Sequence, residues 1–127
     1  MNIPACPLSA EPYEIRFDQE LVHKFSKSFR SDSPSIPPTI GAIALQGAFQ
    51  IINHTLKADW RKLLHVSQTF EYLKPIQLPM TLKTQTTLKE IKTRAQMHFL
   101  NFEISLSDNQ TGEPIMTSKS TIIVRTS

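Results

Sequence analysis

Residues 40–56 constrain this chain more than any other segment. Ile40, Ile43, Ala44, Ala48, Phe49, Ile51, Ile52 and Leu56 leave little polar surface if the segment is helical. A helix that is apolar nearly all round must be buried nearly all round. Pro37 and Pro38 stop any helix arriving from the N-terminal side, and Thr39 is placed to cap a new one. Gly41 and Gly47 lower the intrinsic helix propensity but let another backbone come close, and Ala42, Ala44 and Ala48 keep the helix slim. Something in the rest of the chain has to wrap around it.

The wrapping material lies on both sides of the helix. Residues 13–17 alternate well enough for a short first strand. Asp18 then reads as an N-cap, and Leu21, Val22, Phe25 and Phe29 follow at helical spacing with Glu20, Lys24 and Lys27 on the wet side. Residues 30–38 are rich in Ser, Asp and Pro and suit neither helix nor central strand. From Leu63 the period changes to two: Leu64, Val66, Phe70 and Tyr72 alternate with His65, Ser67, Thr69 and Glu71. Lys74, Pro75 and Pro79 mark a loop, and residues 81–91 are rich in β-branched Thr. Residues 97–106 put Leu100, Phe102, Ile104 and Leu106 on one face, residues 108–113 make a turn containing Gly112, and residues 115–125 put Met116, Ile122 and Val124 on one side. The expected fold class is α+β, with a five-stranded antiparallel sheet wrapped around a long central helix. Residues 1–127 are expected to form a single domain, with a loose arm at residues 1–10.

Composition narrows the function. The formal net charge is +3, and Lys83, Lys89, Lys92 and Arg94 gather around one strand end with no aromatic side chain between them, which speaks against nucleic acid. Such a basic rim suits phosphorylated small molecules or an acidic carrier protein. Cys6 is the only cysteine, so no disulfide framework or zinc cluster forms within the chain, and no metal-ligand spacing or Gly-rich phosphate loop is present. Gln46, Gln50 and Asn53 interrupt the longest apolar run, which disfavours a membrane span. With neither a signal core nor a presequence pattern, the expected compartment is the cytoplasm.

The residues that single out a family are Ile36-Pro37-Pro38-Thr39 entering the buried helix, Leu63-Leu64-His65-Val66-Ser67-Gln68-Thr69-Phe70-Glu71-Tyr72, and Lys74-Pro75-Ile76 before the next strand. With these motifs the chain resembles the hotdog-fold superfamily, and within it the N-terminal, non-catalytic type of hotdog domain of the MaoC-like dehydratases. Leu78-Pro79 stands where that family usually has Gly-Asp. The resemblance implies an acyl thioester ligand, on coenzyme A or on acyl carrier protein, and no further cofactor. It also implies a homodimer, or a heterodimer with a catalytic hotdog subunit, with the acyl chain at the interface. Pro38, Thr39, Ile40, Gly41 and Ala42 would then bind the substrate, since free amides at a helix N-terminus can polarise a thioester carbonyl.

Hydration of an enoyl thioester needs an acid/base pair beside the reacting carbons. MaoC-type hydratases place an Asp and a His a few residues apart in the loop before the central helix. Here that loop holds Asp32, but residues 33–39 contain no His, and residues 40–57 contain no Asp or Glu. Asp32 and His65 are the candidate catalytic pair, each with a plainer role open to it, a turn residue and a packing residue. His54, Gln46, Gln50, Trp60 and Tyr72 are assigned to helix-end, backbone-bonding, core or interface roles, and His98 is expected to be exposed or interfacial. Three functions stay open: an accessory acyl-thioester-binding subunit in fatty-acyl or polyketide metabolism, an active (R)-specific enoyl-CoA hydratase or 3-hydroxyacyl-ACP dehydratase with an unusual site, and an interaction module without ligand.

Overall fold

The computed structural model describes residues 3–18, 20, 45–75 and 79–126, except for the side chains of His65 and Val66. The expected amphipathic helix after Asp18, the Pro-rich segment 30–38, the start of the central helix at residues 40–44 and the turn at residues 76–78 lie outside the described residues.

Among the described residues, six strands form one antiparallel sheet. They are β1 (Leu8–Ser9), β2 (Tyr13–Phe17), β3 (Leu63–Tyr72), β4 (Met80–Arg94), β5 (Met97–Asp108) and β6 (Pro114–Arg125). β3, β6, β5 and β4 run side by side, and both β1 and β2 pair with the far edge of β4, at Leu8↔Leu88 and Tyr13↔Thr84. The sheet is thus five positions wide, with two short strands in the last position, which explains why five strands were expected and six are found. β1 lies within the segment expected to be a loose arm. Leu8 packs against the core, the Ala10 amide donates to the Thr86 carbonyl at 2.9 Å, and Gln85 Nε2 donates to the Ala10 carbonyl at 3.1 Å. These bonds hold backbone that would otherwise fray.

Period two decides which side chains point inward. On β5 the buried set is His98, Leu100, Phe102, Ile104 and Leu106, and on β6 it includes Met116, Ser118, Ser120, Ile122 and Val124. Register joins these into rows across the sheet, such as Tyr72–Met116–Leu106–Thr84–Tyr13. The opposite face is mostly polar, apart from Met97, Phe99 and Ile123, and hydrogen bonds link its rows, Thr121 to Asn101 at 2.9 Å and Asn101 to Glu90 at 3.0 Å. One face therefore needs a cover and the other does not.

The cover is the central helix. Described from Leu45, it is α-helical at Gln46–Gln50 and continues as a π-helical turn at Ile51–Leu56. Leu45, Ala48, Ile51, Ile52 and Leu56 join the sheet residues in one apolar core. Full burial of an Ile or Leu side chain contributes about 1.5–3 kcal/mol. Gly47 lies so close to β4 that an added Cβ would stand 2.3 Å from Thr86 Oγ1 and 3.3 Å from Tyr13 Cε1. The helix ends at Lys57, in the left-handed region at φ 52°, where the Lys57 and Ala58 amides both donate to the Ile52 carbonyl.

The expectation of burial all round is corrected here. Gln46, Gln50, Asn53, His54 and Lys57 are exposed and share one face of the helix. Their spacing of three or four residues is itself helical, so the few polar residues form a single stripe. Among the described residues, no helix is long and apolar enough to cross a membrane.

Candidate functional site

Asp32 and the proposed substrate-binding residues Pro38, Thr39, Ile40, Gly41 and Ala42 lie outside the described residues. His65 is placed by its backbone on β3 opposite Ile123, just past a register shift between Leu63 and His65. Its side chain is not described, so the Asp32–His65 pair stays a proposal taken from the sequence.

The side chains around the helix define the chemistry of the inner face. Thr84, Thr86, His98, Ser118 and Ser120 are the buried polar residues among those described. Gln68 on β3 donates from Nε2 to Ser118 Oγ at 3.1 Å. Thr86 Oγ1 and Ser120 Oγ are buried and make no hydrogen bond among the described residues. Tyr13 is half-buried, and its phenol has the Gly47 backbone and the Thr84 hydroxyl as polar neighbours; burial raises its pKa above the ordinary value. Among the described residues, the inner face thus offers hydroxyls, one amide and one imidazole. Hydroxyls and amides can orient a carbonyl or a water, whereas proton transfer near neutral pH needs a group such as imidazole or carboxylate.

The one described imidazole on that face is His98, which is 8% exposed where an exposed or interfacial residue was expected. It lies opposite Val124 on β6 and Thr93 on β4, and its Nδ1 is 2.7 Å from Thr93 Oγ1. Burial lowers its pKa below the ordinary histidine value. His54 and the glutamines at 46 and 50 are exposed, which takes all three away from the inner face. No group of three or more His, Cys, Asp or Glu side chains with metal-binding geometry occurs among the described residues.

Apolar side chains at the surface form a second feature. Leu64, Tyr72 and Leu73 on and beside β3 are 50%, 39% and 47% exposed, and Trp60 just before it is 44% exposed. Trp60 is held in place on the helix, edge-on to Phe49 with centroids 5.5 Å apart and with Nε1 donating to Asn53 Oδ1 at 3.4 Å. β3 closes the path of the sheet, so its outer backbone edge has no strand beside it among the described residues. Lys74 pairs with Glu113 at the end of this edge.

Comparison with known proteins agrees with this architecture. The family described as the MFE-2 hydratase 2 N-terminal domain matches residues 19–126. A curated relative, the UPF0336 protein of Saccharopolyspora erythraea, is 32% identical over 91 residues, which is 70% of this chain. The match takes in 58% of that relative's own length. Among solved structures, a chain of the HadBC (3R-hydroxyacyl-ACP dehydratase) complex of Mycobacterium tuberculosis superposes with a TM-score of 0.74 at 14% identity, covering 97% of this chain and 99% of its own. The MaoC-like dehydratase of Rhodospirillum rubrum superposes with a TM-score of 0.64 at 13% identity, covering 96% and 93%. A chain of the ChsH1–ChsH2 complex of Mycobacterium tuberculosis gives 0.69 at 13%, covering 93% and 84%. At such identities the structures establish a shared fold.

Proposed function

Since the chain belongs to the family of the MFE-2 hydratase 2 N-terminal domain and has the hotdog fold of the MaoC-like dehydratases, we propose that it is an accessory hotdog subunit. It binds an acyl thioester, or shapes the tunnel that holds one, and leaves the acid/base chemistry to a partner. The carrying observation is the sequence around the central helix, with no His at residues 33–39 and no Asp or Glu at residues 40–57. Addition of water across an enoyl thioester needs a base for the water and an acid for the α-carbon. The segments where hotdog enzymes place those groups lack one member of each pair.

The partner in this reading is a second hotdog chain, a copy of this one or a catalytic subunit, joined along the outer edge of β3. Two features support that edge. It is ten residues long with no strand beside it among the described residues, and Leu64, Tyr72 and Leu73 are exposed on or beside it. Two of the similar solved chains were found in complexes, HadBC and ChsH1–ChsH2. The exposed, unpaired Cys6 is in keeping with a reducing compartment such as the cytoplasm.

The test is a hydration assay on the purified chain with crotonyl and longer enoyl thioesters of coenzyme A and of carrier protein. Alone, the chain is expected to be inactive, and activity is expected to appear when a catalytic hotdog partner is added. Hydration by the chain alone that disappears in both Asp32→Asn and His65→Ala would sink the accessory reading and establish the enzyme.

A further inference from the structure

We propose that the end of the sheet beside the C-terminus of the central helix is a binding site for a phosphoryl group, either free phosphate or a phosphate monoester. A recess of about 120 Å³ opens there, lined by Lys57, Ala58, Asp59, Lys62, His98, Val124, Arg125 and Thr126. Three separate parts of the chain meet at it: the loop after the helix, the start of β5 and the end of β6. The Thr126 amide donates to the Gln96 carbonyl at 2.9 Å, which ties the end of β6 to the β4–β5 turn and fixes the floor.

The charges are unbalanced in one direction. Lys57, Lys62 and Arg125 bring three cations to the lining and Asp59 brings one carboxylate. That carboxylate is already engaged, because Arg61 grips it from Nε at 3.1 Å and from Nη2 at 3.0 Å, and the Arg61 amide bonds Oδ1 at 3.0 Å. Asp59 is therefore held chiefly by Arg61 from outside the recess, with Lys62 a weaker influence on it, and none of the three lining cations forms a close ion pair among the described residues. The negative end of the helix dipole accounts for Lys57 alone, since that field fades within a turn. Lys62 and Arg125 come from other elements, and like charges brought together without a counterion repel one another.

His98 is the built-in polar element. It is more than nine-tenths buried, and Thr93 occupies its Nδ1 at 2.7 Å. Nε2 has no hydrogen-bond partner among the described residues, and the ring lines the recess. In the tautomer in which the Thr93 hydroxyl donates to Nδ1, Nε2 carries the proton and is available to donate to a group in the recess. An imidazole N–H, two ammonium groups and a guanidinium match a compact, doubly charged, acceptor-only group. A small recess with its donors converging suits one phosphoryl group better than an extended acidic protein surface. The site is independent of the acyl-thioester reading and stands or falls separately from it.

The test is a titration of the isotope-labelled chain with inorganic phosphate at constant ionic strength, followed by NMR. Saturable shifts are expected at the His98 ring and at the amides of Ala58, Asp59 and Thr126. Binding is expected to weaken at least tenfold in the Lys62→Ala/Arg125→Ala variant and to recover in part with Lys62→Arg/Arg125→Lys, the rest of the spectrum reporting an intact fold. A nucleoside 3′-phosphate that binds more tightly than inorganic phosphate upholds the site with a nucleotide-bearing ligand as its source, and equal affinities uphold it with free phosphate as the source. The proposal is overturned if equivalent sodium chloride produces the same shifts, or if the double alanine variant binds phosphate as well as the parent.

Discussion

His98 is held on the inner face by the same alternation that buries Leu100 and Phe102, and its burial lowers its pKa. Unfolding returns the ring to water and to an ordinary pKa near 6.5. Between the lowered folded pKa and about 6.5 the unfolded chain binds more protons, so stability rises with pH across that window. The stabilisation is complete above about 6.5 and is lost as pH falls through the folded pKa. The positive amino terminus lowers that pKa further, Lys57, Asp59, Lys62 and Arg125 line the same recess, and Thr93 bonds the ring from β4. Urea unfolding from pH 7.5 downward should show this loss, and His98→Gln should flatten the profile; an unchanged profile would remove His98 as its cause. Gly47 offers a second residue-scale prediction. Gly47→Ala puts a methyl 2.3 Å from Thr86 Oγ1 and 2.8 Å from Thr86 Cβ, and overpacking of this kind costs about 1–3 kcal/mol. Adding Thr86→Ala should recover only part of that loss, because the Cβ contact remains; full additivity of the two substitutions in thermal melts would show that they do not meet.

At the scale of the elements, most of the sheet was legible in the sequence because alternation survives whatever the tertiary context. The phase of β5 placed His98 with Leu100, and the basic residues upstream obscured that signal. β4 runs on to Arg94 although residues 89–94 are mostly polar, because β5 pairs with it along its whole length through a register shift between Leu88 and Glu90. Its turn was hidden as well, since Ala95 and Gln96 take positive φ values of 54° and 62° without the Gly or Asn that usually marks such a hairpin. The π-helical turn leaves no trace in composition; it brings Ile51, Ile52 and Leu56 to the core together. Its exit at Lys57, φ 52°, is a place where a Cβ is disfavoured. Lys57→Gly should therefore stabilise the fold by about 0.5–1 kcal/mol, and a lower unfolding midpoint in urea would contradict the account.

At the scale of the whole molecule, the two edges of the sheet are managed differently. The β4 edge is covered by two short strands, an arrangement that limits pairing with other chains, while β3 leaves ten residues of edge without a strand beside it among the described residues, next to exposed Leu64 and Leu73. Nothing local in residues 63–72 says which strand lies outermost, because that depends on β6 returning from the far end of the chain to pair with it. The basic recess was hidden for the same reason, as Lys57, Lys62, His98 and Arg125 converge only when the sheet is assembled. If the edge of β3 joins two hotdog chains, Leu64→Lys combined with Leu73→Lys places charges where apolar surface would be buried. The sedimenting species should then shift from dimer to monomer for the chain alone, and capture of a catalytic partner should be lost if the pairing is mixed. Both side chains are exposed, so monomer stability should move by no more than about 0.5 kcal/mol per site. An assembly that survives both lysines would place the contact elsewhere, and the exposed helix stripe of Gln46, Gln50, Asn53 and His54 is the next surface to substitute.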